Sequence, residues 1–239
     1  MTLDKLGIGS PQLVIFDKDG TLIDFHAMWG RWLVEVAERL EAALGAPVAD
    51  RLYQMMKYDP VSGKVSDGPL AGTTMESIRR LTAATLHDSG LAAEAVEAAL
   101  QVAWHLPNPV ALAQPLTHLP TLFGQLHERG AKVAVATIDD REPTQATFAG
   151  LGVASMIEAM ACADDGLPLK PAPDMILFIC RKLNISPAQT VMVGDSTQDL
   201  KMARAAGVGL AVGVSSGVTP AETLSPLADI VLPSIAELV

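Results

Sequence analysis

The chain has 239 residues, and 17 Lys+Arg against 27 Asp+Glu give a net charge of −10 at neutral pH. Hydrophobic residues make up 49% and charged residues 18%, which excludes a disordered chain, because disorder needs low hydrophobicity and dense charge. The acidic balance argues against nucleic acid as a partner, since phosphate binding at scale needs a basic surface.

Aromatic residues are only 4% of the chain, so the core is expected to be aliphatic. No apolar run approaches the ~20 residues of a membrane span, which argues against a membrane partner. The opening MTLDKLGIGSPQ lacks the basic segment and apolar stretch of a secretory leader. Two cysteines, Cys162 and Cys180, are too few for a disulfide framework or a thiolate metal site and read as small core residues. A reducing, cytoplasmic compartment is expected.

In chain order, the first element is the apolar run LVIF before Asp17. Similar runs recur as VAVAT ending at Thr137, VMV before Gly194 and GLAVGV from Gly209, with a weaker DIVL near the end. Uninterrupted apolar runs mean strands buried on both faces, the mark of a parallel sheet. Helical patterns lie between them, such as Leu119–Arg129 and Leu200–Ala206, closed by Gly130 and Gly207. The alternation predicts a Rossmann-like, doubly wound α/β sheet.

Residues 25–105 depart from that pattern. They show no clear buried strand and four helical stretches: Trp29–Leu44, Arg51–Lys57, Thr73–His87 and Ala92–Trp104. Thr73 followed by Glu76 suggests a capping box for the third, and Tyr58–Gly72 is a long connection rich in turn residues. The expected division is an α/β core of 1–24 and 106–239, interrupted by an inserted all-helical domain over 25–105. The Pro-rich segment from Pro107-Asn108-Pro109 to Pro115 reads as the return linker.

Four features carry chemistry. The first is Phe16-Asp17-Lys18-Asp19-Gly20-Thr21 directly after the first strand, where ligands bind in open α/β sheets. The two Asp residues can divide their work between a substrate and its leaving group; an Asx-type turn is the plainer reading. The second is Gly194-Asp195 closing another buried strand, with Asp199 at the opening of a helix. Acids at two strand ends can converge on a hard cation such as Mg2+; the plainer reading is helix capping by Asp195 or Ser196, with Asp199 favourable near the positive end of the helix dipole. The third is Thr137 with Ile138-Asp139-Asp140 beyond it, a strand-to-helix junction able to hold a phosphate. The fourth is Lys170 in Leu169-Lys170-Pro171-Ala172-Pro173-Asp174, where prolines restrict its loop.

In this order on this strand pattern, the four features resemble the haloacid dehalogenase superfamily over nearly the whole chain. A helical cap inserted after the first motif is similar to the phosphoglycolate phosphatase and β-phosphoglucomutase-like branch. The resemblance implies that Asp17 is a nucleophile forming an aspartyl-phosphate and that Asp19 is the general acid and then base. It implies Mg2+ as cofactor, bound by Asp17, the Asp19 carbonyl and Asp195, with Asp199 binding through water or orienting its neighbours. Thr137 matches the phosphate-binding hydroxyl, with Gly20, Thr21 and a backbone N–H at Ile138 beside it. Lys170 matches the cation that screens nucleophile and phosphate. Ile138 departs from the family, which often has Asn there.

Asp19 separates branches, because halide needs no protonation to leave and dehalogenases of the superfamily typically lack an acid at that position. The implied function is a Mg2+-dependent phosphatase acting on a small-molecule phosphate ester, phosphoglycolate-like or a sugar phosphate. The alternatives are a hexose-phosphate mutase of the same branch and a non-catalytic phosphate-binding module. Residues 25–105 are expected to form a mobile lid. Trp29, Trp32 and Met55-Met56 read as packing. His26 is a candidate for the site, and Lys57, Lys64 and Arg79 read more as solvated surface than as contacts to an anionic substrate.

Overall fold

The computed structural model describes residues 11–108 and 110–238. Residues 1–10, read above for a leader, and Pro109 of the expected return linker lie outside the described residues. The chain divides into two compact units, one formed by Met1–Phe25 and Pro109–Val239, the other by His26–Asn108.

The first unit opens with strand β1 (Leu13–Phe16). The chain then leaves it for the second unit, where a single π turn over His26–Gly30 leads into α1 (Arg31–Leu44) and α2 (Ala49–Met56). A hairpin of β2 (Tyr58–Asp59) and β3 (Lys64–Val65) follows, then α3 (Pro69–Gly72), α4 (Met75–Asp88) and α5 (Ala93–Ala103). Back in the first unit come α6 (Leu119–Glu128), β4 (Lys132–Ala136), α7 (Arg141–Gly150) and β5 (Ala159–Ala161). The remainder is α8 (Asp174–Leu183), β6 (Thr190–Gly194), α9 (Thr197–Ala206), β7 (Leu210–Val214), α10 (Ala221–Leu224) and β8 (Ile230–Leu232).

The sheet of the first unit runs β5-β4-β1-β6-β7-β8, parallel throughout. From β1 the chain builds outward through β4 to β5, then returns to β1's other side with β6. That reversal makes the β1/β6 junction the switch point, where the carboxyl ends of neighbouring strands leave a crevice for ligands. Leu13, Ile15, Ala134, Ala136, Ala159, Ala161, Met192 and Ala211 face one side and pack with residues of α8, α9 and α10. The many alanines let those helices lie close to the sheet, which is how a core so poor in aromatics still closes. Phe16 belongs to the opposite face and meets Phe123 of α6, with ring centroids 5.8 Å apart. Cys162 and Cys180 are free and buried, as expected.

In the second unit, α1 packs on α5 and α2, and α4 packs on α2 and α5. Trp32 is fully buried between Trp29 and Trp104, both edge-on to it at 5.7 and 5.3 Å, and its indole N–H donates to the His105 carbonyl at 2.7 Å. Trp29 belongs to the π turn rather than to a continuous helix from 29 to 44, although both rings do serve packing. Met56 is core and Met55 half-buried.

Three local expectations change. The cap of α4 is Thr74, whose hydroxyl accepts from Ser77 N, while the Thr73 hydroxyl donates to the Pro69 carbonyl at 2.9 Å. The expected cap was therefore one residue early and no box forms, because α3 already occupies Pro69–Gly72, Thr73 serves its end, and Ser77 rather than Glu76 stands three residues after the cap. The unit also holds the β2–β3 ladder, whose turn is fixed by Asp59 accepting from Val61 N at 2.9 Å and Ser62 Oγ at 2.6 Å. In the α/β unit, β5 has no counterpart among the apolar runs, since Ala-Met-Ala carries little strand propensity.

Trp32→Phe keeps an aromatic ring but removes the pyrrole half and the N–H that serves the His105 carbonyl. It is expected to lower stability by about 1–3 kcal/mol, checked by urea unfolding followed by far-ultraviolet circular dichroism.

Candidate active site

The register of the sheet assembles the site. Phe16 pairs with Val135 of β4 and Val193 of β6, and Asp17 N donates to the Val193 carbonyl at 2.9 Å. Asp17, Thr137 and Asp195 therefore leave three adjacent parallel strands at the same edge. The loop after β1 turns back sharply: Leu22 N and Ile23 N both donate to the Lys18 carbonyl, and Gly20 N to that of Ile23. Gly20 sits at φ +89°, and a Cβ there would stand 2.5 Å from Asp195 Oδ2. The position thus calls for glycine on conformation and on space.

Lys170 is buried, with its ammonium 2.6 Å from Asp17 Oδ1 and 2.6 Å from Asp199 Oδ1. Asp199 Oδ2 accepts from Ser196 N at 3.1 Å and from Ser196 Oγ at 2.6 Å, while Ser196 Oγ accepts from Asp199 N. Asp199 is therefore the capping-box acid of α9, with Ser196 as the cap, and its other oxygen meets Lys170 within the acidic cluster. Asp195 Oδ2 accepts from Val218 N at 3.0 Å. The loop after β7 also donates Ser216 Oγ to the Gly20 carbonyl at 2.8 Å, and any Cβ at Gly217 would overlap the Asp195 carboxylate. Nothing in the sequence pointed to this loop, because its contribution is backbone proximity rather than a reactive side chain.

Asp17, Asp195 and Asp199 are all buried, and each offers a carboxylate oxygen within 4.8 Å of the others. Asp17 Oδ2 and Asp195 Oδ1 make no hydrogen bond with any described residue. Burial pushes the Asp17 carboxyl up to about 7 despite the opposing pull of Lys170, and burial carries Asp195 well above the usual range, helped by Asp17 and Asp199. Lys170 moves up even though burial opposes its charge, because Asp17 and Asp199 both favour the ammonium. Burial disfavours the charge of both groups: at Asp17 it adds to the repulsion of Asp199, and at Lys170 the attraction of two acids overcomes it. Clustered hard-oxygen donors with raised carboxyls fit a divalent cation of the Mg2+ type.

A second ion network lies beside the first. Lys18 is buried, and its ammonium contacts Asp19 Oδ2 at 2.6 Å and Asp139 Oδ2 at 2.9 Å. Neither Lys18 nor Asp139 received a role from sequence, since a lysine in a strand-end loop is ordinarily solvated. Thr137 is buried, and its Oγ1 accepts from Asp139 N at 3.1 Å; Ile138 is half-buried next to it. Thr21 is buried with a hydroxyl that finds no partner among the described residues.

The remaining candidates lie in the helical unit. His26 Nδ1 accepts from Val65 N at 3.2 Å. Lys57 Nζ donates to the Asp67 carbonyl at 2.8 Å, Arg79 pairs with Glu97 at 2.9 Å, and Lys64 is exposed on β3. Lys57 and Arg79 thus serve the unit's own structure.

Comparison with known proteins identifies the family. The family model for haloacid dehalogenase-like hydrolases matches residues 11–207. Phosphoglycolate phosphatase of Rhodospirillum rubrum is 31% identical over 208 residues, covering 84% of this chain and 79% of that protein. N-acetylmuramic acid 6-phosphate phosphatase of Pseudomonas aeruginosa is 26% identical over 196 residues, covering 81% and 77%. Among solved structures, a haloacid dehalogenase-like hydrolase from Streptococcus pneumoniae superposes with a TM-score of 0.62 at 17% identity, covering 95% of this chain and 96% of that one. With the sheet, its switch point and the clustered acids in place, the match over most of the chain shows that the protein belongs to the haloacid dehalogenase-like hydrolases.

Proposed function

We propose that the protein is a Mg2+-dependent phosphatase that hydrolyses a small phosphorylated metabolite, phosphoglycolate-like or a sugar phosphate, through an aspartyl-phosphate on Asp17. The observation that carries this reading is Asp17 itself: buried at the switch point, ion-paired to Lys170 and grouped with two further buried carboxylates. The two similar phosphatases named above support the substrate class, since each is named for the phosphate ester of a small acid.

In the first step an Asp17 oxygen attacks phosphorus while the bond from phosphorus to the leaving oxygen breaks and Asp19 gives that oxygen its proton. In the second step Asp19 takes a proton from water as the water oxygen attacks phosphorus. The bond to Asp17 breaks, inorganic phosphate leaves and both acids return to their starting forms. Lys170 offsets the charge that the nucleophile and phosphoryl group bring together. Thr137 Oγ1, the Ile138 N–H and the loop at Gly20 and Thr21 bind the phosphoryl oxygens.

Asp17, Asp195 and the Asp19 carbonyl would hold Mg2+, with Asp199 orienting Lys170 and the start of α9. When bound, the ion neutralises phosphate charge and orients the ester for in-line attack. Five carboxyls (Asp17, Asp19, Asp139, Asp195 and Asp199) share this edge with two ammoniums, Lys18 and Lys170. An anionic ester therefore needs added positive charge to enter.

Asp17→Asn is expected to cut turnover of an aryl phosphate at least about 10³-fold with the circular dichroism spectrum unchanged, because an amide cannot form the acyl-phosphate. Appreciable turnover by a clean preparation of that variant would remove Asp17 from the mechanism. Gly217→Ala, which forces the Asp195 carboxylate to move, and Asp195→Asn are each expected to weaken Mg2+ binding by about 10–100-fold, read by calorimetry and by the Mg2+ needed for half-maximal rate. Activity indifferent to chelator would reject the metal. Asp19→Ala is expected to slow alkyl phosphates by about 10²–10⁴ and nitrophenyl phosphate far less, because a good leaving group needs little protonation. Free phosphate formed in step with the released alcohol separates a phosphatase from a mutase.

A further inference from the structure

We infer that Lys18 is a positioning residue: its ammonium, shared between Asp19 and Asp139, fixes the direction of the Asp19 carboxylate. The inference rests on the reading of Asp19 as the general acid.

Lysine is almost never fully buried unless paired, yet Lys18 is 1% exposed and among the largest buried side chains of the protein. A long flexible side chain at a strand-end loop would normally carry its charge out to water. Here it turns inward because the loop folds over it. Both Leu22 N and Ile23 N donate to its carbonyl, and its ammonium comes back onto the next residue, Asp19, at 2.6 Å.

The second partner comes from a different strand. Asp139 lies beyond β4, where its N–H donates to Thr137 Oγ1 at 3.1 Å and its carbonyl accepts from Ala163 N at 2.9 Å. The backbone of Asp139 is thus held from both sides, and its carboxylate gives Lys18 a fixed anchor 2.9 Å away. The tie runs from the β4 loop through one ammonium to the acid of the β1 loop. A carboxyl on a loop has free rotation about two side-chain bonds, and a general acid delivers its proton only within hydrogen-bond reach of the leaving oxygen.

Stability gives no reason for this arrangement. Burying the Lys18 ammonium between two half-buried carboxylates costs desolvation that apolar packing of similar volume would avoid. The arrangement is also separate from the Lys170 network. Asp17 and Asp19 stand one residue apart, but each is held by its own lysine, Asp17 by Lys170 and Asp19 by Lys18. Lys170 serves the nucleophile, and Lys18 serves the acid.

The test compares kcat and KM of the full chain on phosphate monoesters whose leaving groups run from nitrophenol to simple alkyl alcohols. The variants are Lys18→Met, which keeps length and volume without charge, Asp139→Asn, and Asp19→Ala as reference. Lys18→Met is expected to lose at least about tenfold more kcat on alkyl than on nitrophenyl phosphate. Its KM and its Mg2+ affinity by calorimetry are expected to stay near those of the parent. Asp139→Asn is expected to show the same gradient at smaller amplitude, and it decides the matter if Lys18→Met does not fold. A gradient in Asp19→Ala with uniform losses in the Lys18 and Asp139 variants overturns the positioning role alone. A flat series in Asp19→Ala overturns the general-acid reading, and the positioning role falls with it.

Discussion

Lys170 joins the end of β1 to the first turn of α9 through two ion pairs of 2.6 Å, and the whole carboxyl edge of the sheet depends on that ammonium. Three carboxylates at close range in a dry setting repel one another, and burial raises Asp17 and Asp195. A cation among them is the condition for their convergence. The parallel sheet supplies the rest at no extra design, because adjacent strands end level and deliver Asp17 and Asp195 side by side. Glycines then remove what would separate these groups: Gly20 and Gly217 let two loops lie directly against the Asp195 carboxylate. Charge pairing, strand register and missing side chains together make a site from residues that are unremarkable one at a time.

The same logic explains which parts of the structure could be read from the residues. Strands β1, β4, β6 and β7 are buried on both faces apart from Lys132 at the start of β4, so each carries an apolar run that is visible without context. Strand β5 has only Ala-Met-Ala, and its pairing with Ala134 to Ala136 of β4 makes it a strand. The β2–β3 hairpin has two residues on each side, too few for any alternation to show. Thr74 replaces Thr73 as a cap because of a four-residue helix that no pattern announces.

Within the site, legibility follows the strand ends. Asp17, Thr137 and Asp195 could be placed because each directly follows an apolar run. Asp199 could be placed at the opening of a helix, and the structure gives one of its carboxylate oxygens to the Ser196 cap and the other to Lys170. Lys18 and Asp139 were out of reach for a different reason. Whether a loop lysine is solvated or buried depends on which acid meets it from elsewhere in the fold, and that acid belongs to the loop after β4.

The partition of aromatic residues between the two units has a spectroscopic consequence. All three tryptophans and both tyrosines lie within His26–Asn108, and all five phenylalanines lie in the other unit. Intrinsic emission therefore comes from the Trp29–Trp32–Trp104 cluster and the Tyr53–Tyr58 pair, and the α/β unit is optically silent beside them. A fluorescence melt of this protein follows the helical unit alone. Agreement between that melt and a backbone signal, which two-state unfolding requires, becomes a direct measure of whether the two units come apart together.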